Sequence, residues 1–256
     1  RIEFVLKRKD KMVICITSTE SGDGKTFLST NLAALYAMTG RKVLLIDLDL
    51  RKPNIHTKLG LENGNGMSNY LIGDCTFEEA MEKNTPFGFD FVRAGTIPPN
   101  PGELVHTDKL AETIADLREQ YDYVIMDTSP IGLVPDAYAI IENSDMCLFV
   151  IRCMQTNKSF CKQTLEQMTE VVEVTAMVVT EVTVTDTSAT VAMVVIVTAM
   201  VARPTPSAMV NCTVRSTASS SRTTRLIVRI TTITTTRTTK RQNRTKITNK
   251  AYDNCF

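Results

Sequence analysis

The chain of 256 residues has no tryptophan, and no glycine follows Gly132. Phenylalanine is absent between Phe160 and Phe256. A packed core needs large apolar side chains and its turns need glycine, so these gaps place the foldable part early in the chain. The seven cysteines include no CxxC pair and no ligand cluster, and the two histidines, His56 and His106, stand apart. That excludes a zinc module and a disulfide scaffold, and it suits a reducing compartment. Either histidine reads as a surface or capping residue. The net charge is only +1, which leaves no overall field to draw the chain to nucleic acid or to an anionic membrane. There is no apolar run of membrane-spanning length and no charged-then-apolar leader with a cleavage site. A cytoplasmic protein is expected. The first residue is Arg1, not methionine, which points to a longer parent chain.

What is present is enough for one good-sized α/β domain with an appendage, since 43% of the residues are apolar. Composition shifts near residue 170, and from Val171 onward about a quarter of the residues are threonine. Two units are expected: residues 1–170 as a domain and 171–256 as a low-complexity Thr/Val tail that does not form a folded domain. The opening basic stub, RIEFVLKRKDK, reads as a solvated helix end.

The segment TESGDGKTFLST, from Thr19 to Thr30, organises the rest. It matches GxxxxGK[ST] except at its first position, where Thr19 replaces glycine. A short β-branched run, KMVICITST, leads into it, and a helical segment, KTFLSTNLAALYAMTG, follows and stops at Gly40. Strand, loop and helix in that order form a phosphate cradle. Ser21, Gly22, Asp23, Gly24, Lys25, Thr26 and Phe27 are the expected nucleotide-binding residues. The glycines let successive N–H groups turn toward the phosphates, Lys25 reaches the terminal phosphates, and the Thr26 hydroxyl sits on Mg²⁺.

Two further strands carry acids. RKVLLIDLDLRKP delivers Asp47 and Asp49 at alternate positions, so both carboxylates can point to one side at the ligand-binding end of a parallel sheet. YDYVIMDTSPIGLVPDA places Asp127 after four apolar residues, and its TSPIGLVPDA continuation has the glycine and prolines of a loop able to sense a γ-phosphate. SDMCLFVIR reads as another core strand and NKSFCKQTLEQM as a further helix. Between the two acidic strands, MSNYLIG and a segment opened by Thr76 with Glu79 three residues on read as helices, FGFDFVRAG as a strand, and IPPNPGELV as a rigid turn entering the helix LVHTDKLAETIADLREQ. The fold expected is α/β, a doubly wound and mostly parallel sheet of P-loop type.

Together SGDGKT, LLIDLDLRKP and VIMDTSP resemble the bacterial tyrosine kinases, a P-loop family that controls capsule and exopolysaccharide export. AGTIPPNPGELV and GLVPDA look like segments of the same family, and the resemblance runs from about Lys7 to Glu170. It implies transfer of the γ-phosphoryl group of ATP to tyrosine, with ATP and Mg²⁺ bound. It implies Lys25 on the phosphates, Thr26, Asp49 and Asp127 around the metal, Asp47 as the base, and Arg51 orienting the acids or meeting a neighbouring subunit. Implied partners are tyrosine-bearing proteins, a membrane-embedded activator segment or polysaccharide co-polymerase at the inner face of the membrane, and further copies of the chain; nucleic acid is not among them. The rival is the partition and division-site (ParA/MinD-like) ATPase, a switch or scaffold that binds ATP without phosphotransfer. Its loop carries a signature lysine where this chain has Glu20.

Two features depart from the family. The acidic-and-arginine helix motif that precedes the first strand in family members has no counterpart here. The family's C-terminal tyrosine cluster is also missing, since Tyr252 is the one tyrosine after Val171. Val-Thr-Ala-Met-Val, at Val174 to Val178 and again at Val197 to Val201, is encoded GTN-ACN-GCN-ATG-GTN. Read from the third base, with suitable wobble bases, it yields Tyr-Gly-Tyr-Gly. The tail is thus expected to be the family's Tyr/Gly cluster translated in a shifted frame from close to residue 170.

Overall fold

The computed structural model describes residues 11–152, 155–171, 174–185, 191–201 and 230–234. The basic stub before Lys11, the basic stretch 237–250 and most of the tail therefore lie outside the described residues.

Five strands form a parallel core: β1 (Met12–Ser18), β2 (Val43–Leu48), β4 (Asp90–Val92), β5 (Tyr123–Thr128) and β6 (Met146–Arg152). Their order in the sheet is β4-β2-β5-β1-β6. The short β3 (Met81–Glu82) pairs antiparallel with β4. Every residue of β1, β2 and β5 is buried, as near-continuous Val/Ile/Leu runs require when both faces of a parallel sheet are covered.

The helices are α1 (Lys25–Met38), α2 (Ile55–Lys58), α3 (Met67–Ile72), α4 (Phe77–Ala80), α5 (Pro101–Val105), α6 (Asp108–Gln120), α7 (Asp136–Glu142) and α8 (Lys158–Val171). Strand alternation sorts the core into two layers. Met12, Ile14, Ile16, Leu45 and Ile125 pack with Leu32, Ala33 and Tyr36 of α1. Val13, Cys15, Leu44, Ile46, Val124 and Met126 pack with Ile114 of α6, Ile140 of α7 and Leu165 of α8. Helices thus cover both faces, the doubly wound arrangement expected. Tyr36 stacks on Tyr123 with ring centroids 3.9 Å apart, which pins the last turn of α1 to the start of β5.

Some boundaries move. The run expected as one helix from Leu104 is two: Pro101 opens α5 in the first turn, where its missing N–H costs nothing, and Thr107 is the N-cap of α6. Thr76 does open α4 with the reciprocal Glu79 bonds of a capping box, but the chain turns extended at Met81. Beyond α8 the backbone adds β7 (Val174–Thr185), β8 (Val191–Val201) and β9 (Ile230–Thr234). All pair antiparallel, in the order β6-β8-β7-β9, so that β8 lies along the free edge of β6.

Candidate functional site

The end of β1 is tied to the neighbouring strand and loop. Thr17 Oγ1 donates to the Ser129 carbonyl at 3.0 Å and accepts from Ile131 N–H at 3.2 Å, and Thr128 Oγ1 donates to the Ile16 carbonyl at 2.9 Å. The C-terminal end of β1, from which the phosphate loop springs, is thereby bound to the end of β5 and the loop that follows it. Gly22 and Gly24 have φ of 94° and 103°, and nothing lies within 4 Å of where a Cβ would stand on either. Only glycine takes that backbone without strain. Gly24 is also the N-cap of α1, whose first turn has no side-chain cap and no acid. Orphan N–H groups and the positive end of the helix dipole therefore meet in front of the loop, a fit for an anion such as phosphate. Lys25 is buried, Ser21 is exposed, and the Phe27 ring is 59% exposed, which leaves Phe27 only its main chain to offer the loop.

The acids assemble across two strands. Thr26 Oγ1 donates to Asp127 Oδ2 at 2.7 Å, while Asp127 Oδ1 is buried without a hydrogen-bond partner. An orphaned carboxylate oxygen beside a P-loop hydroxyl fits a divalent cation. Burial pushes Asp127 up to about 6, against the pull of the Thr26 bond and the Lys25 charge. Asp47 lies opposite Asp127 in the β2–β5 register. Its oxygens accept from the backbone N–H groups of Asp49 at 3.2 Å and Ile55 at 3.4 Å. Burial, then the Asp127 and Asp49 charges, hold it well above the usual carboxylate range. Asp49 is one residue past the end of β2 and half-buried, where its Oδ1 accepts from Ser129 Oγ at 2.8 Å and Lys52 N–H at 3.1 Å.

Arg51 turns to the start of α7: Nε and Nη2 donate to Asp136 Oδ2 at 2.7 Å and Oδ1 at 3.2 Å. Gly102 of α5 packs on the pair, for a Cβ there would stand 3.0 Å from Asp136 Oδ1. Asp23, 3% exposed, points inward. All the expected residues thus lie on the loop, in the first turn of α1 or at the C-terminal ends of β2 and β5. Ser129, Asp136 and Thr156 belong with them but follow no spacing rule; the TSPIGLVPDA segment was the one hint of the first two. Among the described residues no three His, Cys, Asp or Glu side chains form a metal cluster. A cation would therefore rely on Thr26 and Asp127 together with phosphate and water oxygens, as Mg²⁺ commonly does. No helix among the described residues is long and apolar enough to cross a membrane.

The chain matches the AAA domain family over residues 11–184. It is 38% identical to tyrosine-protein kinase YwqD of Bacillus subtilis over 157 residues, 61% of this chain and 66% of that protein. The kinase domain of the Escherichia coli tyrosine kinase ETK matches with a TM-score of 0.64 at 30% identity, over 66% of this chain and 67% of that one. The septum site-determining protein MinD of Pyrococcus horikoshii, solved with Mg-ADP, has a TM-score of 0.53 at 24% identity, over 62% of this chain and 65% of its own, a likeness of fold alone. The chain spans 66% of the shorter curated relatives it matches and 20–22% of the longer ones. On the matched residues, and on the three acidic and glycine-rich motifs they contain, this chain belongs to the AAA domain family and within it to the P-loop domains of the bacterial tyrosine kinases.

Proposed function

We propose that this chain binds ATP with Mg²⁺ and transfers the γ-phosphoryl group to protein tyrosine hydroxyls, in the control of capsule or exopolysaccharide synthesis and export. The observation that carries this reading is the Thr26–Asp127 bond with a buried, unpartnered Asp127 oxygen behind it, set directly before an uncapped helix N-terminus. Residues 1–170 make up the catalytic domain, with 171–256 an appendage.

Phosphoryl transfer asks a protein chiefly for positioning and charge neutralisation. The loop N–H groups and Lys25 hold the phosphates. Thr26 and Asp127 hold Mg²⁺, with Asp49 beside them; when bound, the ion neutralises charge on the phosphate oxygens. The tyrosine oxygen forms a bond to the γ-phosphorus as the bond to the β–γ bridging oxygen breaks, and ADP leaves. Asp47, whose proton affinity is raised by burial, takes the hydroxyl proton. Asp49, half-buried and steadied by Ser129, stands beside Asp47 at the C-terminal end of β2. Arg51, braced by Asp136, keeps the segment after β2 in place.

The setting proposed is the cytoplasm at the inner face of the bacterial membrane, with a membrane-embedded activator segment or polysaccharide co-polymerase as partner and further copies of the chain alongside. A phosphotyrosine blot on a supplied tyrosine peptide tests the activity. Signal that requires ATP, Lys25 and Asp47 supports the kinase. Nucleotide binding without any transfer overturns it in favour of an ATP-dependent switch or scaffold.

A further inference from the structure

The phosphate loop is braced by a side chain that faces into the protein. Asp23 Oδ2 accepts from Glu20 N–H at 2.9 Å across the turn, and Oδ1 accepts from Thr156 Oγ1 at 2.7 Å. Thr156 comes from the segment after β6 and is buried. Its hydroxyl has one proton and two lone pairs. The proton goes to Asp23, and a lone pair accepts from Arg152 N–H at 2.9 Å. Arg152 then returns to the loop, with Nη1 donating to the Gly22 carbonyl at 3.3 Å. The loop is therefore held at Gly22 and Asp23 by residues about 130 positions away in sequence, and Asp23 carries that hold across the turn to Glu20.

This brace answers a physical difficulty. Two glycines with positive φ give the loop the freedom to present its N–H groups, and the same freedom lets an empty loop leave that shape. Affinity rises when a loop is already ordered in its binding conformation. Arg152 in turn sits at the end of β6, between β1 on one side and β8 on the other, where it pairs with Val194.

We propose that Asp23 and Thr156 form a clamp that sets the loop in its phosphate-binding shape, making Thr156 a positioning residue for the nucleotide although it lies outside the loop motif. This rests on reading the loop as an ATP site. Asp23, in this view, acts through the backbone it holds and not by touching the nucleotide.

The test uses the full chain, with a fluorescent mant-ADP and Mg²⁺ as probe. Thr156→Val keeps the shape and removes the hydroxyl, leaving a buried carboxylate oxygen and a backbone N–H unpaired. It should weaken nucleotide binding by about tenfold or more, and the KM for ATP should change more than kcat. Thr156→Ser, which restores the hydroxyl, should recover the affinity, and Asp23→Asn, which loses the Glu20 bond alone, should fall between. Amide hydrogen exchange over residues 19–24 without nucleotide should be faster in Thr156→Val than in the wild type. Equal affinity and equal exchange overturn the clamp, as does a Thr156→Ser variant as weak as Thr156→Val. A wild-type chain that binds no nucleotide overturns the ATP reading instead, and the exchange comparison still decides the clamp; if Thr156→Val does not fold, Asp23→Asn carries both measurements.

Discussion

Asp47 and Asp127 stand opposite each other on neighbouring parallel strands, each 1% exposed and each with a proton affinity raised by burial. Two buried carboxylates side by side are costly when ionised, and a bound cation removes that cost.

This arrangement sets a pH dependence. Asp127 is raised from 3.8 to about 6 in the folded chain, so between those values the native state holds a proton that the unfolded state has released. Stability of the nucleotide-free fold from this group is therefore highest below the unfolded value and is lost as pH rises toward about 6, by on the order of 3 kcal/mol. Asp47 acts in the same direction. Asp127→Asn should be more stable than the wild type at pH 7.5 in urea denaturation, with the gap closing near pH 4. Affinity for Mg-ADP in the wild type should rise with pH through about 6, and the variant should lack that rise.

The two acids at the end of β2 separate by kinetics. Asp47→Asn should lower kcat on a tyrosine peptide by about 10²–10⁴-fold while Mg-ADP still binds. Loss of nucleotide binding in that variant, with kcat unchanged at saturation, would give Asp47 a ligand-holding role instead.

The Arg51–Asp136 pair joins the segment after β2 to the start of α7. Arg51 is 40% exposed, which screens the attraction. A double-mutant cycle of Arg51→Ala and Asp136→Asn in urea should return a coupling of about 1 kcal/mol. The larger effect should be kinetic, because the pair holds the segment carrying Asp49.

Gly132 lies against the phosphate loop, where an added Cβ would stand 2.4 Å from the Thr19 carbonyl oxygen and 3.1 Å from Thr164 Oγ1. The backbone oxygen has no room to yield without moving the loop. Gly132→Ala should cost about 1–3 kcal/mol in denaturation and weaken Mg-ADP binding as well. A stable variant with wild-type affinity would show that the two loops move independently.

The tail makes a prediction about the gene. If Val174–Val178 and Val197–Val201 descend from a tyrosine-rich segment, the DNA across codons 160 to 256 should encode a Tyr/Gly run in another frame. A random or stop-filled frame there would end the idea.

The motifs were readable because each has a local cause. A left-handed glycine, a buried β-branched run and an uncapped helix start are properties of a few consecutive residues, so Gly22, Gly24, Lys25, Thr26, Asp47 and Asp127 could be singled out in sequence. The break of the α5–α6 segment at Thr107 turned on a competing N-cap, a choice between local signals that only the packed structure makes. The extension of the sheet by β8 on the open edge of β6 was also outside local reach, since an apolar, valine-rich run such as Val191–Val201 announces a strand but not its neighbour.

Sequence alone thus determined the order of strand, loop and helix and the residue types gathered at the candidate site, because those follow from backbone freedom and residue type over short spans. Tertiary structure decided the partners: Ser129 on Asp49, Asp136 on Arg51, and Thr156 on Asp23. Each joins residues 80 to 133 positions apart. Such contacts arise only when parallel strands out of sequence order, each fed by its own crossover, bring the ends of β2, β5 and β6 to one edge of the sheet.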